Sequence, residues 1–145
     1  MFNKKINKIT KKKNIKPIIC LTSYSKNIAQ ILDKHCDLIL VGDSLGSVVY
    51  GMKSTKKVTM DMMINHGIGV KKGVSKSLLV VDMPYKTYEN KKTALKNAQK
   101  IIKYTKCDAV KLEGGKKIIN IIKFLVKKKN SRYGTFGFTA SKRKR

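Results

Sequence analysis

The sequence predicts an α/β fold built on parallel strands, and three observations predict it. Short apolar runs of strand length alternate with segments of helical period. Most of those runs are continuous rather than alternating. The strand-then-helix unit recurs at intervals of roughly thirty to forty residues. Continuous apolar strands belong to a sheet covered on both faces, and helical crossovers make neighbouring strands parallel. On this pattern alone, a (β/α) barrel and an open doubly wound sheet are both allowed.

The strand-like runs are Pro17–Thr22, Leu38–Val41, Ser77–Val81 and Ala109–Leu112. Lys26–His35 places Ile28, Ala29, Ile31 and Leu32 on one helical face, and Asp61–Lys72 carries Met62, Met63, Ile64, Ile68 and Val70. Lys91–Thr105 repeats Ala94, Leu95, Ala98, Ile101 and Ile102 at close to the helical period, and Lys116–Lys129 carries Ile118, Ile119, Ile121, Ile122 and Leu125. Gly73, just past the second helix, reads as its C′ residue, and Pro84 closes the third strand. Met1 to Lys16 is basic and lacks an apolar run, so it reads as a frayed arm rather than a secretory signal.

With 41% hydrophobic residues in organised runs, the 145-residue chain has enough apolar mass for a core. The formal charge of +26 invites a nucleic-acid reading, but only Arg132, Arg143 and Arg145 among the 34 basic residues are arginines. Readers of bases and phosphates favour the planar guanidinium fork, so scattered lysine reads as a solvated surface and no specific nucleic acid is expected. No apolar stretch approaches the ~20 residues that span a bilayer, and no membrane partner is expected. Cys20, Cys36 and Cys107 form no C-x-x-C pair and read as small buried thiols of a cytoplasmic protein.

The chain has only eight acidic residues, so their placement is informative. In either α/β architecture, function collects at the C-terminal ends of the strands. There stand Gly42-Asp43-Ser44-Leu45-Gly46, Asp82-Met83-Pro84 and Lys111-Leu112-Glu113-Gly114-Gly115. Asp43, Asp82 and Glu113 thus follow three successive strands at the same end. Gathered carboxylates repel unless one is protonated or a cation lies among them, and oxygen-only ligands suit Mg²⁺. Lys111, two residues before Glu113 and so on the same side of the strand, suits an anionic substrate. Asp at a βα junction also caps helices, so capping by Asp43 and Asp82 is the competing reading. No G-x-G-x-x-G or P-loop spacing is present, which disfavours dinucleotide binding.

At these residues the sequence resembles ketopantoate hydroxymethyltransferase. The motifs that carry the resemblance are Leu21-Thr22-Ser23-Tyr24, Val41-Gly42-Asp43-Ser44-Leu45-Gly46, Ser54-Thr55-x-x-Val58-Thr59, Val81-Asp82-Met83-Pro84-Tyr85 and Ala109-Val110-Lys111-Leu112-Glu113-Gly114-Gly115, in that order. The resemblance runs from about Ile18 to Lys129. It implies a TIM-type (β/α) barrel, usually in a homo-oligomer. It also implies transfer of a hydroxymethyl group from 5,10-methylenetetrahydrofolate to the 2-oxo acid 3-methyl-2-oxobutanoate, giving 2-dehydropantoate. By the same resemblance, Asp43, Asp82 and Glu113 belong to a Mg²⁺ site, while Asp43, Ser44, Asp82 and Lys111 hold the keto acid.

The sequence also departs from the family. Ser25 stands where Asp is usual, Lys56-Lys57 replaces Leu-Pro, and Gly134-Thr135-Phe136-Gly137-Phe138-Thr139 resembles a fifth-strand motif without its histidine. The family's catalytic base, a glutamate of the second half, has no counterpart, so no catalytic residue is assigned. A complete TIM barrel needs about 250 residues. The expectation is therefore a barrel truncated to its first four or five βα units and inactive alone, with a basic arm at 1–16, a partial barrel at 17–130 and a divergent basic tail at 131–145. Two other readings remain: a different Mg²⁺-dependent 2-oxo-acid barrel enzyme, of the phosphoenolpyruvate mutase and isocitrate lyase kind, and a non-enzymatic polycationic binder.

Overall fold

A computed structural model describes residues 4–12, 14–128 and 138–141, the last by backbone alone. The helix α1 spans Lys4–Lys12, and β1 is Cys20–Thr22. There follow α2 (Lys26–Leu32), β2 (Leu38–Val41), α3 (Leu45–Val48), α4 (Met60–Lys71), β3 (Leu78–Asp82), α5 (Lys91–Thr105), β4 (Ala109–Glu113), α6 (Ile119–Lys128) and β5 (Phe138–Ser141). The five strands form one sheet in the order β1-β2-β3-β4-β5, every pairing parallel. Sequential neighbours joined through helices are what a barrel wall requires. An open doubly wound sheet would reverse its strand order. Apart from β5, most of the expected tail and its glycine motif lies outside the described residues.

The strands separate two cores by simple alternation. One face of the sheet sends Ile39, Val41, Leu79, Val81, Val110 and Leu112 into a cluster with Ala29, Met63, Val70, Ala94, Ala98 and Ile101 of the helices. The opposite, inner face carries Leu78, Val80 and Ala109, packed with Leu38 and Leu40. The next inner positions along the strands are Asp82, Lys111 and Glu113. The inner face is thus apolar at its lower levels and charged at the top.

The segment expected as a frayed arm is a helix with a place to go. Ile6 and Ile9 of α1 pack against Leu78, Val80 and Ala109. Lys5 donates to the Ser77 carbonyl at 2.8 Å and lies 3.8 Å from Asp108, while Lys12 reaches Asp37 at 2.6 Å. These anchors lie at the N-terminal ends of the strands, so α1 covers the lower mouth of the sheet. The sequence reading of a frayed arm fails because the sheet leaves Ile6 and Ile9 an apolar seat.

Caps fix the helix starts. Thr59 accepts from the Met62 amide at 3.2 Å, and Asn90 from that of Thr93 at 2.9 Å. The expected helix over 116–129 instead opens as a 3₁₀ turn, Gly115–Ile118, before α6. Gly73 is not a left-handed C′ residue; α4 ends through Lys72 in the right-handed region. A Cβ at Gly73 would collide with the Lys26 carbonyl and the Gln30 amide, so close approach to α2 requires the glycine. No helix among the described residues is long and apolar enough to cross a membrane.

Candidate active site

Parallel register brings the upper ends of three strands together. Asp82 is the last residue of β3 and pairs directly with Lys111 of β4. Val41 pairs with Val81, which sets Gly42 beside Asp82. The Asp43 amide, one residue on, donates to Asp82 Oδ2 at 3.3 Å. Gly42 lets these groups approach: a Cβ there would stand 2.9 Å from Ser44 Oγ, so the hydroxyl would have to turn aside.

Lys111 lies at the centre. Its ammonium is 2.7 Å from Asp82 Oδ1 and donates to Glu113 Oε1 at 2.9 Å. The Asp82 side chain is only 5% exposed, that of Lys111 16%, and that of Glu113 24%. Burial penalises the Asp82 carboxylate more than the lysine stabilises it, and its pKa is pushed up to about 6. Burial works against the charged lysine too, but Asp82 and Glu113 outweigh it and raise the Lys111 pKa. The ammonium is therefore the firmly charged member of the cluster.

Asp82 Oδ1 is ion-paired, yet it accepts no hydrogen bond of regular geometry among the described residues. A buried carboxylate oxygen in that condition has acceptor capacity to spare. The nearby donors, from Asp82, Asp43 and Glu113, are oxygens alone, which is the chemistry of a hard divalent ion. Among the described residues, however, no three carboxylate, histidine or cysteine groups converge closely enough to hold a metal by themselves. Such a set could hold an ion only at Asp82 with other carboxylates reaching it through water, a habit of Mg²⁺.

Ser44, at the start of α3, shares a hydrogen bond of 2.7 Å with the Tyr24 hydroxyl. His66 of α4 donates from Nδ1 to the Tyr24 carbonyl at 2.7 Å, and its Nε2 shares a hydrogen bond of 3.0 Å with the Tyr50 hydroxyl. Tyr88 clamps the end of β4, donating to the Glu113 carbonyl at 2.9 Å and accepting from its amide at 3.3 Å. Sequence reasoning named Ser23-Tyr24 without this role and did not reach His66 or Tyr88. Nothing in the order of residues joins α4 to the first strand's exit or Tyr88 to Glu113. At α3 Ser44 holds the N-cap position, without a side-chain hydrogen bond to the helix.

Fold and site together describe part of a TIM-type (β/α) barrel with a charged site at the C-terminal ends of its strands. The chain is 12% identical to a solved oxaloacetate acetylhydrolase, with a TM-score of 0.74 over 97% of this chain and 52% of that one. It is likewise 12% identical to 2,3-dimethylmalate lyase, a PEP mutase/isocitrate lyase superfamily member, with a TM-score of 0.72 over 99% and 54% of the two chains. These likenesses concern the fold. A family model for ketopantoate hydroxymethyltransferase matches residues 3–145. The chain belongs to the ketopantoate hydroxymethyltransferase family. It is 65% identical over 136 residues to the 3-methyl-2-oxobutanoate hydroxymethyltransferase of Pelagibacter ubique (strain HTCC1062), covering 94% of this chain and 53% of the relative. The like-named protein of Anaplasma marginale (strain St. Maries) is 57% identical over 118 residues, covering 81% and 43%. The chain therefore spans about half the length of the curated relatives it matches.

Proposed function

We propose that this chain carries the keto-acid-binding half of a 3-methyl-2-oxobutanoate hydroxymethyltransferase. The whole enzyme would move a hydroxymethyl group from 5,10-methylenetetrahydrofolate to 3-methyl-2-oxobutanoate, releasing 2-dehydropantoate. The observation that carries the reading is the buried Asp82–Lys111–Glu113 cluster on the inner face, beside the Asp43 amide. Membership of the family supports it. The same reading takes a small 2-oxo acid and a reduced folate as partners, a homo-oligomer as the assembly and the cytoplasm as the location.

Each residue has a task in that chemistry. Asp82 would hold Mg²⁺, with Asp43 and Glu113 contributing directly or through water. When bound, the ion supplies a Lewis acid for the oxygens of the keto acid. Lys111 places a buried positive charge near the same oxygens, where loss of a proton from the substrate would leave negative charge. Ser44, fixed by Tyr24, offers a hydroxyl to the substrate carboxylate, and Asp43 shapes the turn that presents it. No group of this chain is assigned as the base.

Titration of the folded chain with Mg²⁺, followed by calorimetry, tests the metal assignment. Asp82→Ala is expected to weaken binding by about tenfold or more, in line with loss of an anchoring charged ligand. Equal binding by variant and parent removes Asp82 from the site. For the substrate assignment, Lys111→Met should weaken 3-methyl-2-oxobutanoate binding in the presence of Mg²⁺. A parent chain that binds no 2-oxo acid under those conditions overturns the reading.

A further inference from the structure

Nothing in its own element holds the Ser44 hydroxyl. The residue is exposed at the start of α3, a helix of four residues, and its side chain makes no bond to that helix. A serine hydroxyl left to itself is free to sample several staggered positions. Here it meets the Tyr24 hydroxyl at 2.7 Å, so its direction depends on how firmly Tyr24 is placed.

Tyr24 stands where the edge strand β1 runs out, and β1 has just three residues, all exposed. One side of Tyr24 is secured locally. The buried Ser23 donates its amide to the Leu40 carbonyl at 3.0 Å and its hydroxyl to the Ser25 carbonyl at 3.1 Å. The Tyr24 carbonyl is secured from a distance, by Nδ1 of His66 at 2.7 Å, across 42 positions of sequence. The imidazole stands nearly perpendicular to two tyrosine rings, with centres 6.4 Å from Tyr24 and 5.7 Å from Tyr50, and its Nε2 is bonded to the Tyr50 hydroxyl at 3.0 Å. The helix that carries it is closely seated. Gly67, the next residue of α4, is buried so near α5 that a Cβ would stand 2.7 Å from Thr105 Cγ2.

We propose that His66 is a positioning residue for Ser44: it pins the Tyr24 carbonyl to α4, and Tyr24 then holds the Ser44 hydroxyl in one direction. This rests on the proposed role of Ser44 at the 2-oxo acid and extends that site to a residue acting through Tyr24. A carboxylate can only accept, so a Ser44 hydroxyl that donates to it must itself accept from Tyr24. The relay from His66 through Tyr24 therefore aims a serine proton at the substrate, while Tyr50 keeps the imidazole from turning. A donor fixed beforehand loses less freedom when the ligand arrives.

The Ser44 rotamer is read from the three-bond Hα–Hβ couplings of the isotopically labelled 145-residue chain. One staggered rotamer is expected in the parent, and averaged couplings in Tyr24→Phe and His66→Leu. His66→Asn, whose amide nitrogen falls near the place of Nδ1, should restore the single rotamer, whereas His66→Gln, which reaches only toward Tyr50, should not. His35→Leu removes the other histidine and should change nothing. Calorimetry with 3-methyl-2-oxobutanoate and Mg²⁺ reads the consequence. His66→Leu should weaken binding of the 2-oxo acid about fivefold, the usual worth of one hydrogen bond, and His66→Asn should recover most of that. In a Ser44→Ala background, His66→Leu should cost nothing more, because the group it positions is gone. Circular dichroism checks that each variant is folded; if His66→Leu is not, His66→Gln takes its place. A Ser44 rotamer that stays single without His66, or one that His66→Asn fails to restore, would overturn the proposal. So would a full further loss in the Ser44→Ala background, or a loss of Mg²⁺ binding in His66→Leu, since either marks a general structural role. If the rotamers follow the expected pattern while no 2-oxo acid binds, the role assigned to Ser44 falls and the positioning by His66 stands.

Discussion

Six of the eight acidic residues divide between the two ends of the sheet. Asp43, Asp82 and Glu113 occupy the upper ends of the strands, while Asp33, Asp37 and Asp108 occupy the lower. Asp108 accepts from the Leu79 amide at 3.0 Å and Asp37 from that of Ile19 at 3.2 Å. Asp33 is the most committed: it is buried and accepts from the Ser75, Lys76 and Ser77 amides and the Ser75 hydroxyl, tying the end of α2 to the approach of β3. Burial alone would raise its pKa, but these donors outweigh it and hold the carboxyl well below the usual range. A carboxyl depressed in the folded state adds stability at every pH above its unfolded value, about 3.9, and loses it as the pH falls through the folded value. Asp33→Asn should therefore cost roughly 2–4 kcal/mol at pH 7, since it weakens several charge-assisted bonds. The gap between parent and variant should narrow below about pH 4. Denaturant melts across that range measure it, and a constant gap would show that ionisation of Asp33 is irrelevant.

Among the elements, α1 is the one whose role depends most on its surroundings. Its period gave Ile6 and Ile9 a common face, but a short lysine-rich helix is marginal in water. The apolar inner levels of β3 and β4, with Asp37 and Asp108 to meet its lysines, supply what holds it. Ile6→Asp/Ile9→Asp should destabilise the chain by about 2–3 kcal/mol, the apolar contact of two half-buried side chains, without touching the upper end. Urea denaturation is the measurement. An unchanged midpoint would mean that α1 covers nothing that matters to the sheet. By contrast, α5 is written plainly in the sequence: its expected and observed limits coincide, and an Asn cap starts it.

At the scale of the whole molecule, β1 is the revealing element. All three of its residues are exposed, and Ile18, Ile19 and Leu21 each keep about two-fifths or more of their surface in solvent, with Ile28 and Ile31 of α2 exposed alongside. An unpaired parallel edge bordered by apolar side chains is a template for further pairing. Expressed by itself, the 145-residue polypeptide is expected to self-associate, with sedimentation velocity rising as concentration increases. A concentration-independent monomer would mean that this edge is already satisfied. The same polypeptide, given folate donor, keto acid and Mg²⁺, should form no measurable 2-dehydropantoate, since a positioned general base alone is typically worth 10²–10⁴-fold.

The sequence by itself determined the alternation of strands and helices, and with it the level at which chemistry would lie. Apolar runs at Leu38–Val41 and Ala109–Leu112, and the helical period of Lys91–Thr105, are local patterns that any correct packing must honour. It also determined which residues are at the strand ends, because Asp43, Asp82 and Glu113 directly follow such runs. What only the tertiary structure decided is distance. Register set Lys111 beside Asp82, and packing left Asp82 Oδ1 without a regular hydrogen bond and joined Tyr24, Ser44 and His66 across three elements. It likewise turned a basic arm into a cover for the lower mouth and brought Lys56 to the ring of Tyr85. Apart from Lys111 with Glu113, these contacts join residues tens of positions apart, and their energies depend on burial, which no local pattern of charge and hydropathy encodes.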